Sequence, residues 1–433
     1  MRTVGLLIIA VSLLVPLYWF VPIATTRDPG AALSQYLGVS ALIAMGLSQL
    51  MATRFRFLET IFGGLDRIYV LHKWLGIMAL AALVLHDTID ADMRGLGGET
   101  WLSDLAETLG EVSFYSLIAL VVLSIATFVP YHLWRYTHKF MGACFTLGAF
   151  HFAFILKPFS NQDPLGLYVL AFCAIGIASY LYTLVPWRTF QGRYAYRVNE
   201  VEHLGSAVSL TLSPGGPGMR HKPGQFAFLQ LEQDGVRSVH PFTISQAPSD
   251  ERSLRFTIKA LGDHTKRVSQ VASQGTAARI SGPYGHFQPA APDVPEIWIA
   301  GGIGITPFLA WAGSLEHKTA PVHLFYSLRD ASEAVHLDEL RALQQQHHNF
   351  HLHLIETTKT GRLTVGRIVE ALDSPLQTCR ASFCGPKPMR EQLKRDLTAK
   401  GLPGGAFMFE EFEIRSGLGL RKLLACLFGR FTR

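Results

Sequence analysis

The sequence predicts a multi-domain membrane protein: a six-helix transmembrane bundle, then a small antiparallel β-barrel, then an α/β doubly wound domain. Three observations predict it. Of 433 residues, 49% are hydrophobic and only 17% charged, a balance too apolar for a wholly soluble chain. Up to about Trp187, long apolar runs alternate with short polar links. Beyond it, short alternating strands separated by Gly and Pro turns give way to strands that alternate with helical runs.

Six segments approach the ~20 apolar residues needed to cross about 30 Å of hydrocarbon: Leu6–Ile23, Ala31–Met51, Ile68–Ile89, Val112–Val129, Phe140–Leu156 and Leu165–Val185. Arg2 before the first run gives it the look of a signal peptide, but no small-x-small cleavage site follows, so a retained anchor is expected. Arg54, Arg56 and Arg67 lie between the second and third segments, and Arg135 and Lys139 between the fourth and fifth. The loop after the third segment is instead acidic, with Asp90, Asp92, Glu99, Asp104 and Glu107. Positively charged loops stay inside, which places both termini in the cytoplasm.

The third and fifth segments each carry two histidines, His72 with His86, 14 residues apart, and His138 with His151, 13 apart. On a helix rising ~1.5 Å per residue, either pair spans roughly 20 Å. Fourteen residues at ~100° each return to within about 40° of the starting azimuth, so His72 and His86 share a face. Thirteen do not, so the fifth helix either deviates near Gly142 or Gly148 or presents its two imidazoles at different azimuths. A single membrane histidine is commonly just a hydrogen-bonded group inside a bundle. Two matched pairs suit another task, since neutral imidazole is an axial ligand for haem iron and two parallel helices so equipped could clamp two haems.

The net charge of +6 follows largely from the basic loops, and no arginine-rich groove with interleaved aromatics points to nucleic acid. Five scattered cysteines, Cys144, Cys173, Cys379, Cys384 and Cys426, make neither a disulfide framework nor an iron–sulfur site. His347, His348, His351 and His353 read as a solvated helix end and a strand face rather than a metal site. His132 reads as an interfacial residue. The absence of H-E-x-x-H, G-x-S-x-G and P-loop motifs leaves hydrolytic chemistry without support.

In the soluble half, strands are expected at Tyr194–Val201, Val208–Leu212, Phe226–Leu231, Ser253–Ile258 and Ala278–Ile280. Among them stand His240-Pro241-Phe242-Thr243-Ile244-Ser245, Gly262-Asp263-His264-Thr265 and Gly282-Pro283-Tyr284-Gly285, which offer hydroxyls, bare amides and rings to a flavin nucleotide. Then Glu296–Ala300 reads as a buried strand running into Gly301-Gly302-Ile303-Gly304-Ile305-Thr306-Pro307 and a helix. Strand, glycine turn and helix N-terminus form a phosphate-binding arrangement. The strand His323–Ser327 ends in Ser327-Leu328-Arg329-Asp330, where a hydroxyl and a guanidinium suit a ribose 2′-phosphate and favour NADPH, with NADH the alternative. A last strand, Ala381–Cys384, opens into Gly385-Pro386-Lys387-Pro388-Met389.

Taken in order, the paired histidines, HPFTIS, GGIGITP, CGPKPM and the late aromatic Phe412 resemble the ferric reductase and NADPH oxidase superfamily, in which a two-haem membrane domain is fused to a ferredoxin–NADP reductase type module. The resemblance implies a membrane domain over 1–190, an FAD-binding barrel over 191–292, a nicotinamide-nucleotide domain over 293–412 and a basic tail over 413–433. It implies two b-type haems, His72 with His138 and His86 with His151. It implies that His240, Pro241, Phe242 and Thr243 line the flavin, with Ser245, Gly262, His264 and Thr265 near its phosphates. Gly301, Gly302, Gly304, Thr306 and Pro307 would take the pyrophosphate of NADPH, and Ser327 and Arg329 its 2′-phosphate. Cys384, Gly385 and Pro386 would lie near the nicotinamide, and Phe412 would cover the flavin ring; Cys384, Phe412 and Thr243 would act in hydride transfer. The implied activity passes electrons from cytosolic NADPH across a plasma membrane (the inner membrane in a bacterium) to oxygen or a ferric chelate. The alternative is a haem-bearing membrane anchor that supplies a partner protein. Asp90 stands where animal superoxide-producing oxidases carry a further outer histidine, which leaves the acceptor open.

Overall fold

The computed structural model describes residues 2–89, 96–125, 129, 131–185 and 194–410, so Asp90, Phe412 and the basic tail lie outside the described residues. The chain divides into two compact units that meet in sequence at Pro186 and Trp187.

In the first unit, α1 (Thr3–Leu14) and α2 (Leu17–Thr26) form one apolar rod interrupted at Pro16. It is followed by α3 (Pro29–Ala52), the short α4 (Arg56–Phe62), α5 (Leu65–Thr88), α6 (Trp101–Ile125), α7 (Tyr131–Phe154) and α8 (Pro164–Leu184). Local chemistry sets the starts. Asp28 caps α3 by accepting from the Ala31 amide at 2.7 Å, and Pro29 occupies the first turn, where no donor is needed. Five helices among the described residues are long and apolar enough to cross a membrane: Thr3–Thr26, Pro29–Ala52, Leu65–Thr88, Trp101–Ser124 and Pro164–Leu184. The remaining expected segment, Phe140–Leu156, falls on α7, which is 24 residues long but carries Arg135, His138, Lys139 and His151 among its apolar residues.

Small residues let these helices approach. A side chain at Gly46 on α3 would lie 2.6 Å from the Phe172 carbonyl of α8, and one at Gly176 on α8 would lie 2.4 Å from the Phe145 ring of α7. α3 packs along both α5 and α8, and α6 packs along α7. On α5 the buried stripe is Leu65, Ile68, Leu71, Leu75, Ala79 and Ala82, spaced by three and four.

The second unit begins with a six-stranded antiparallel sheet: β1 (Tyr194–Leu204), β2 (Ala207–Pro214), β3 (Phe226–Leu231), β4 (His240–Thr243), β5 (Leu254–Lys259) and β6 (Ala277–Tyr284). Its order is β4-β3-β6-β1-β2-β5, and the two edges meet through a bridge between Ile244 and Phe256. The five expected strands are all present, while β4 falls on a motif whose proline and short length hid it.

A five-stranded parallel sheet follows: β7 (Glu296–Gly301), β8 (Val322–Leu328), β9 (Phe350–Glu356), β10 (Arg380–Cys384) and β11 (Phe407–Phe409). The order is β11-β10-β7-β8-β9, so the chain leaves β7 in one direction and later returns to its other side. Trp298, Phe308, Trp311, Tyr326 and Phe350 fill one face of this sheet, and Ile297, Ile299, Phe325 and Phe383 the other. The two sheets are joined by the Arg255 guanidinium, which forms a two-pronged ion pair with Glu339 at 2.9 Å for each contact. His336 bonds Thr257 beside that pair at 3.0 Å.

Candidate functional site

In the membrane unit the four histidines share one arrangement. The His72 Nδ1 lies 2.9 Å from the Ser48 carbonyl oxygen and 2.8 Å from its hydroxyl. The His86 Nδ1 makes the same pair of contacts with Ser34, at 2.8 Å and 2.9 Å. The His151 Nδ1 lies 2.9 Å from the Ala106 carbonyl. A carbonyl only accepts, so in these three rings Nδ1 carries the proton and Nε2 is a bare lone pair. The His138 Nδ1 faces the Ser124 hydroxyl at 3.3 Å, and that hydroxyl already donates to the Leu120 carbonyl at 2.8 Å, so it too accepts from the ring. Imidazoles that bind metal hold their second nitrogen this way.

The geometry explains the spacings. Ser34 and Ser48 are 14 residues apart on α3, matching His86 and His72 on the antiparallel α5, so both imidazoles turn to one face. α7 is continuous through Gly142 and Gly148, so its two imidazoles leave at different azimuths, and both find partners on α6. Gly110 makes room for the second, since a side chain there would lie 2.4 Å from the His151 Nδ1. The rings of His72 and His138 are centred 6.0 Å apart. Imidazole–metal bonds of about 2 Å put two rings that share one ion roughly that far apart. Trp134 stacks on His138 at 5.0 Å from the next turn of α7. The residues present thus fit haem iron at His72 and His138, and the donor set fits it at His86 and His151. Ser34, Ser48, Ala106 and Ser124 escaped the sequence reading, although the repeated 14-residue serine interval was there to be found.

In the soluble unit the motifs converge in two places. β4 carries His240, Pro241, Phe242 and Thr243 along an edge of the antiparallel sheet, with Pro241 exposed and Thr243 buried. The helix Asp263–Val271 brings its first turn alongside, so that His264 stacks on His240 with ring centres 3.9 Å apart. Ser238, unnoticed in the sequence, bridges both rings at 3.0 Å and 2.9 Å. Burial pushes the His264 imidazole below its ordinary value, which keeps it neutral. Thr265 holds the turn by accepting from the Gly262 and Leu261 amides, both at 3.0 Å. Ser245 does something else: it is fully buried, and its hydroxyl bonds Thr257 at 2.9 Å and the Arg255 carbonyl at 3.2 Å where the sheet edges meet. Tyr284 likewise packs inward, against Phe226 and Phe228.

The second place is where the order of the parallel sheet reverses, between β7 and β10. In open α/β sheets ligands bind at that switch point, beyond the carboxyl ends of the strands. Gly301 ends β7, with Gly302 and Gly304 just beyond it, and Gly385 and Pro386 follow β10. A side chain at Gly304 would lie 2.1 Å from the Cys384 carbonyl, one at Gly301 2.7 Å from Pro386, and one at Gly385 3.0 Å from Gly301. The two turns are therefore pressed together by their lack of side chains. Gly302 adopts φ +56°, the left-handed region that favours glycine, with open space where a side chain would stand. Thr306 and Pro307 are buried at the base of the following helix. The Cys384 thiol is buried, and burial together with the Glu410 carboxylate pushes its pKa up, so it stays protonated. Glu410 also approaches the Gly285 turn, since a side chain there would meet its Oε1 at 2.9 Å. Glu410 thus lies near both motifs. At the end of β8, Ser327 is buried and Arg329 exposed.

A helical membrane unit fused to a flavin sheet and a nicotinamide-nucleotide sheet defines a membrane-bound NAD(P)H-dependent flavin oxidoreductase. Comparison with known proteins agrees domain by domain: a ferric reductase like transmembrane component matches residues 37–149, an FAD-binding domain 195–290, and an oxidoreductase NAD-binding domain 298–395. The chain carries the three-domain architecture of the ferric reductase and NADPH oxidase superfamily. It is 27% identical over 265 residues to a flavohemoprotein of a Burkholderia species, covering 58% of this chain and 67% of that one. It is 29% identical over 206 residues to the glycine betaine monooxygenase reductase subunit of Pseudomonas aeruginosa, covering 44% and 56%. A solved flavohemoglobin from Malassezia yamatoensis, with bound FAD and heme, shares the fold at a TM-score of 0.50 and 16% identity, covering 88% of this chain and 98% of that one.

Proposed function

We propose that the protein carries electrons from NADPH on the cytoplasmic side to an acceptor across the membrane, through FAD and two b-type haems. The observation that carries this is the set of four imidazoles whose Nδ1 atoms are held by neighbouring helices, leaving four Nε2 lone pairs for metal. His72 with His138 would hold one haem and His86 with His151 the other. When bound, FAD accepts a hydride and releases electrons singly, and haem iron passes them on one at a time.

The chain's own groups do the rest. Ser48, Ser34, Ala106 and Ser124 fix the tautomer and orientation of the ligands. The paired glycine turns after β7 and β10 bring backbone amides to the dinucleotide, and Arg329 meets the 2′-phosphate that distinguishes NADPH. Cys384, Gly385 and Pro386 border the place where the nicotinamide would meet the flavin. β4 and the turn Gly262–Thr265 flank the flavin itself, with Phe412 as its cover. α7 serves as the sixth span, because its 24 residues match its partner α6. The basic loops keep the soluble unit in the cytoplasm.

The acceptor is molecular oxygen or a ferric chelate. Aerobic superoxide release outside right-side-out vesicles, set against ferric-chelate reduction under nitrogen, separates the two. The central claim is tested on the purified full chain by a reduced-minus-oxidised spectrum started with NADPH, with haem quantified per chain. Failure to bind haem, or full haem content after all four histidines are replaced, would overturn it.

A further inference from the structure

We propose that the soluble unit carries a second kind of metal site, for a divalent transition-metal ion, built from His323 on β8, His351 on β9 and Asp373. His323 and His351 are register partners on neighbouring parallel strands, so their side chains stand on one face, with ring centres 4.7 Å apart. Asp373 follows the helix Val365–Glu370 and brings a carboxylate over that face. One ligand atom from each of the three residues lies within 4.8 Å of the others.

A buried histidine stack is the plain alternative, and one atom argues against it. The His323 side chain is only 4% exposed, yet its Nε2 has no hydrogen-bond partner and lies 3.6 Å from the Asp373 Oδ2. Leaving such a nitrogen unsatisfied costs on the order of 1–3 kcal/mol. The other ring nitrogen is engaged: the His323 Nδ1 lies 3.1 Å from the His353 Nε2. Phe325 stacks on the His353 ring at 4.6 Å and holds it in place. In the tautomer that donates Nδ1–H to His353, Nε2 keeps a bare lone pair 3.6 Å from the Asp373 carboxylate, where a cation would bridge the two. That is the arrangement of a metal ligand with its orienting partner, His353 being the orienter.

Two imidazoles and a carboxylate suit a borderline ion, zinc above all, with cobalt, nickel or copper as chemical equivalents. Calcium and magnesium prefer all-oxygen sets. A tetrahedral site with bonds of about 2.0–2.1 Å puts its ligand atoms roughly 3.4 Å apart. Asp373, with a side chain 71% exposed, is free to make the small closing movement, and water completes the shell. The site lies near the starts of β8 and β9, whereas the glycine turns lie beyond the ends of β7 and β10. It therefore pins the Asp373 loop to the sheet without touching the path of the electrons.

The test uses the full chain with haem and flavin loaded, stripped of adventitious metal by a chelator and then dialysed against micromolar zinc. The parent protein is expected to retain one zinc per chain more than Asp373→Asn or His351→Gln. In competition with a fluorescent zinc chelator, either substitution should weaken binding at least tenfold. Zinc should raise the unfolding midpoint of the parent's soluble unit and not that of the variants. Flavin content, haem content and the metal-free midpoint of the variants should equal the parent's, which separates ligand loss from misfolding. Equal zinc content in parent and variants, or a parent that holds none, overturns the site.

Discussion

The two units make their binding sites by opposite means. In the membrane unit the candidate site consists of side chains: four imidazoles, each steered by a carbonyl or hydroxyl of the adjoining helix. In the soluble unit it consists largely of missing side chains, with Gly301, Gly304 and Gly385 letting two strand-end turns press together. The physical reason is the solvent. Hydrocarbon satisfies no polar group, so every backbone amide there is spent within its helix and only side chains remain to bind a cofactor. At the switch point of a parallel sheet, loop amides are free, and what binding needs is close approach. The membrane site should therefore fail when atoms are removed, and the soluble site when one is added.

The largest effect expected is from His72→Ala or His138→Ala. Either should lose half of the bound haem and take NADPH-driven reduction of an outer acceptor to background, measured by haem content and vesicle assays. NADPH reduction of a soluble dye by the flavin should survive, because the soluble unit is untouched. Gly304→Ala inverts this pattern. Its methyl meets the Cys384 carbonyl at 2.1 Å, so the turns must part. Overpacking of this kind costs about 1–3 kcal/mol, equivalent to a rise in the apparent KM for NADPH of roughly fivefold to 150-fold, with haem content unchanged. If Gly304→Ala lowered haem, or His72→Ala raised the KM for NADPH, the division between the units would be false.

A smaller effect tests how the soluble unit holds together. Burial first, and the Arg255 guanidinium second, push the His336 imidazole down from 6.5 to about 4, against the opposing pull of Glu339. The unfolded chain keeps the ordinary value, so between these two values it binds a proton that the folded chain does not. The stability contributed by neutral His336 is complete above about pH 6.5 and declines as pH falls towards 4, by on the order of 1–3 kcal/mol. Flavin release on heating, followed by fluorescence, should show that slope. His336→Asn should flatten it, since asparagine tolerates the left-handed backbone found here at φ +56° and does not titrate.

Much of this was legible in the sequence, and unevenly so. The apolar runs, the four histidines and the glycine turns announce themselves, because each obeys a local rule of length, spacing or residue type. What stayed hidden depends on neighbours distant in sequence. Ser34 and Ser48 look like ordinary small residues of an apolar helix until α5 is laid antiparallel beside them. Ser245 looked like a phosphate ligand because its motif is exposed at one end, but the structure turns its hydroxyl to Thr257 inside the sheet. His351 and His353 read as a strand face and His323 as the start of another strand, because nothing local says that the register sets His323 opposite His351.

The finest distinction lies within one pair of ligands. His72 has two acceptors at its Nδ1, the Ser48 carbonyl and hydroxyl, whereas His138 has the Ser124 hydroxyl alone among the described residues. Ser48→Ala leaves the carbonyl at 2.9 Å, so the ring keeps its tautomer and loses only one of two contacts. Ser124→Ala leaves the His138 Nδ1 without a hydrogen-bond partner among the described residues, with the Trp134 stack alone to orient the ring. A tenfold change in relative affinity for the two oxidation states moves a one-electron midpoint by about 59 mV. Orienting partners of metal-bound histidine typically matter by about tenfold or more. Ser124→Ala should therefore move the midpoint of the haem held by this pair by roughly 60 mV, and Ser48→Ala by clearly less, in potentiometric titrations of the same absorbance band. Equal shifts would mean that the hydroxyls tune the site only through bulk polarity, and the contrast drawn between held and unheld imidazoles would lose its basis.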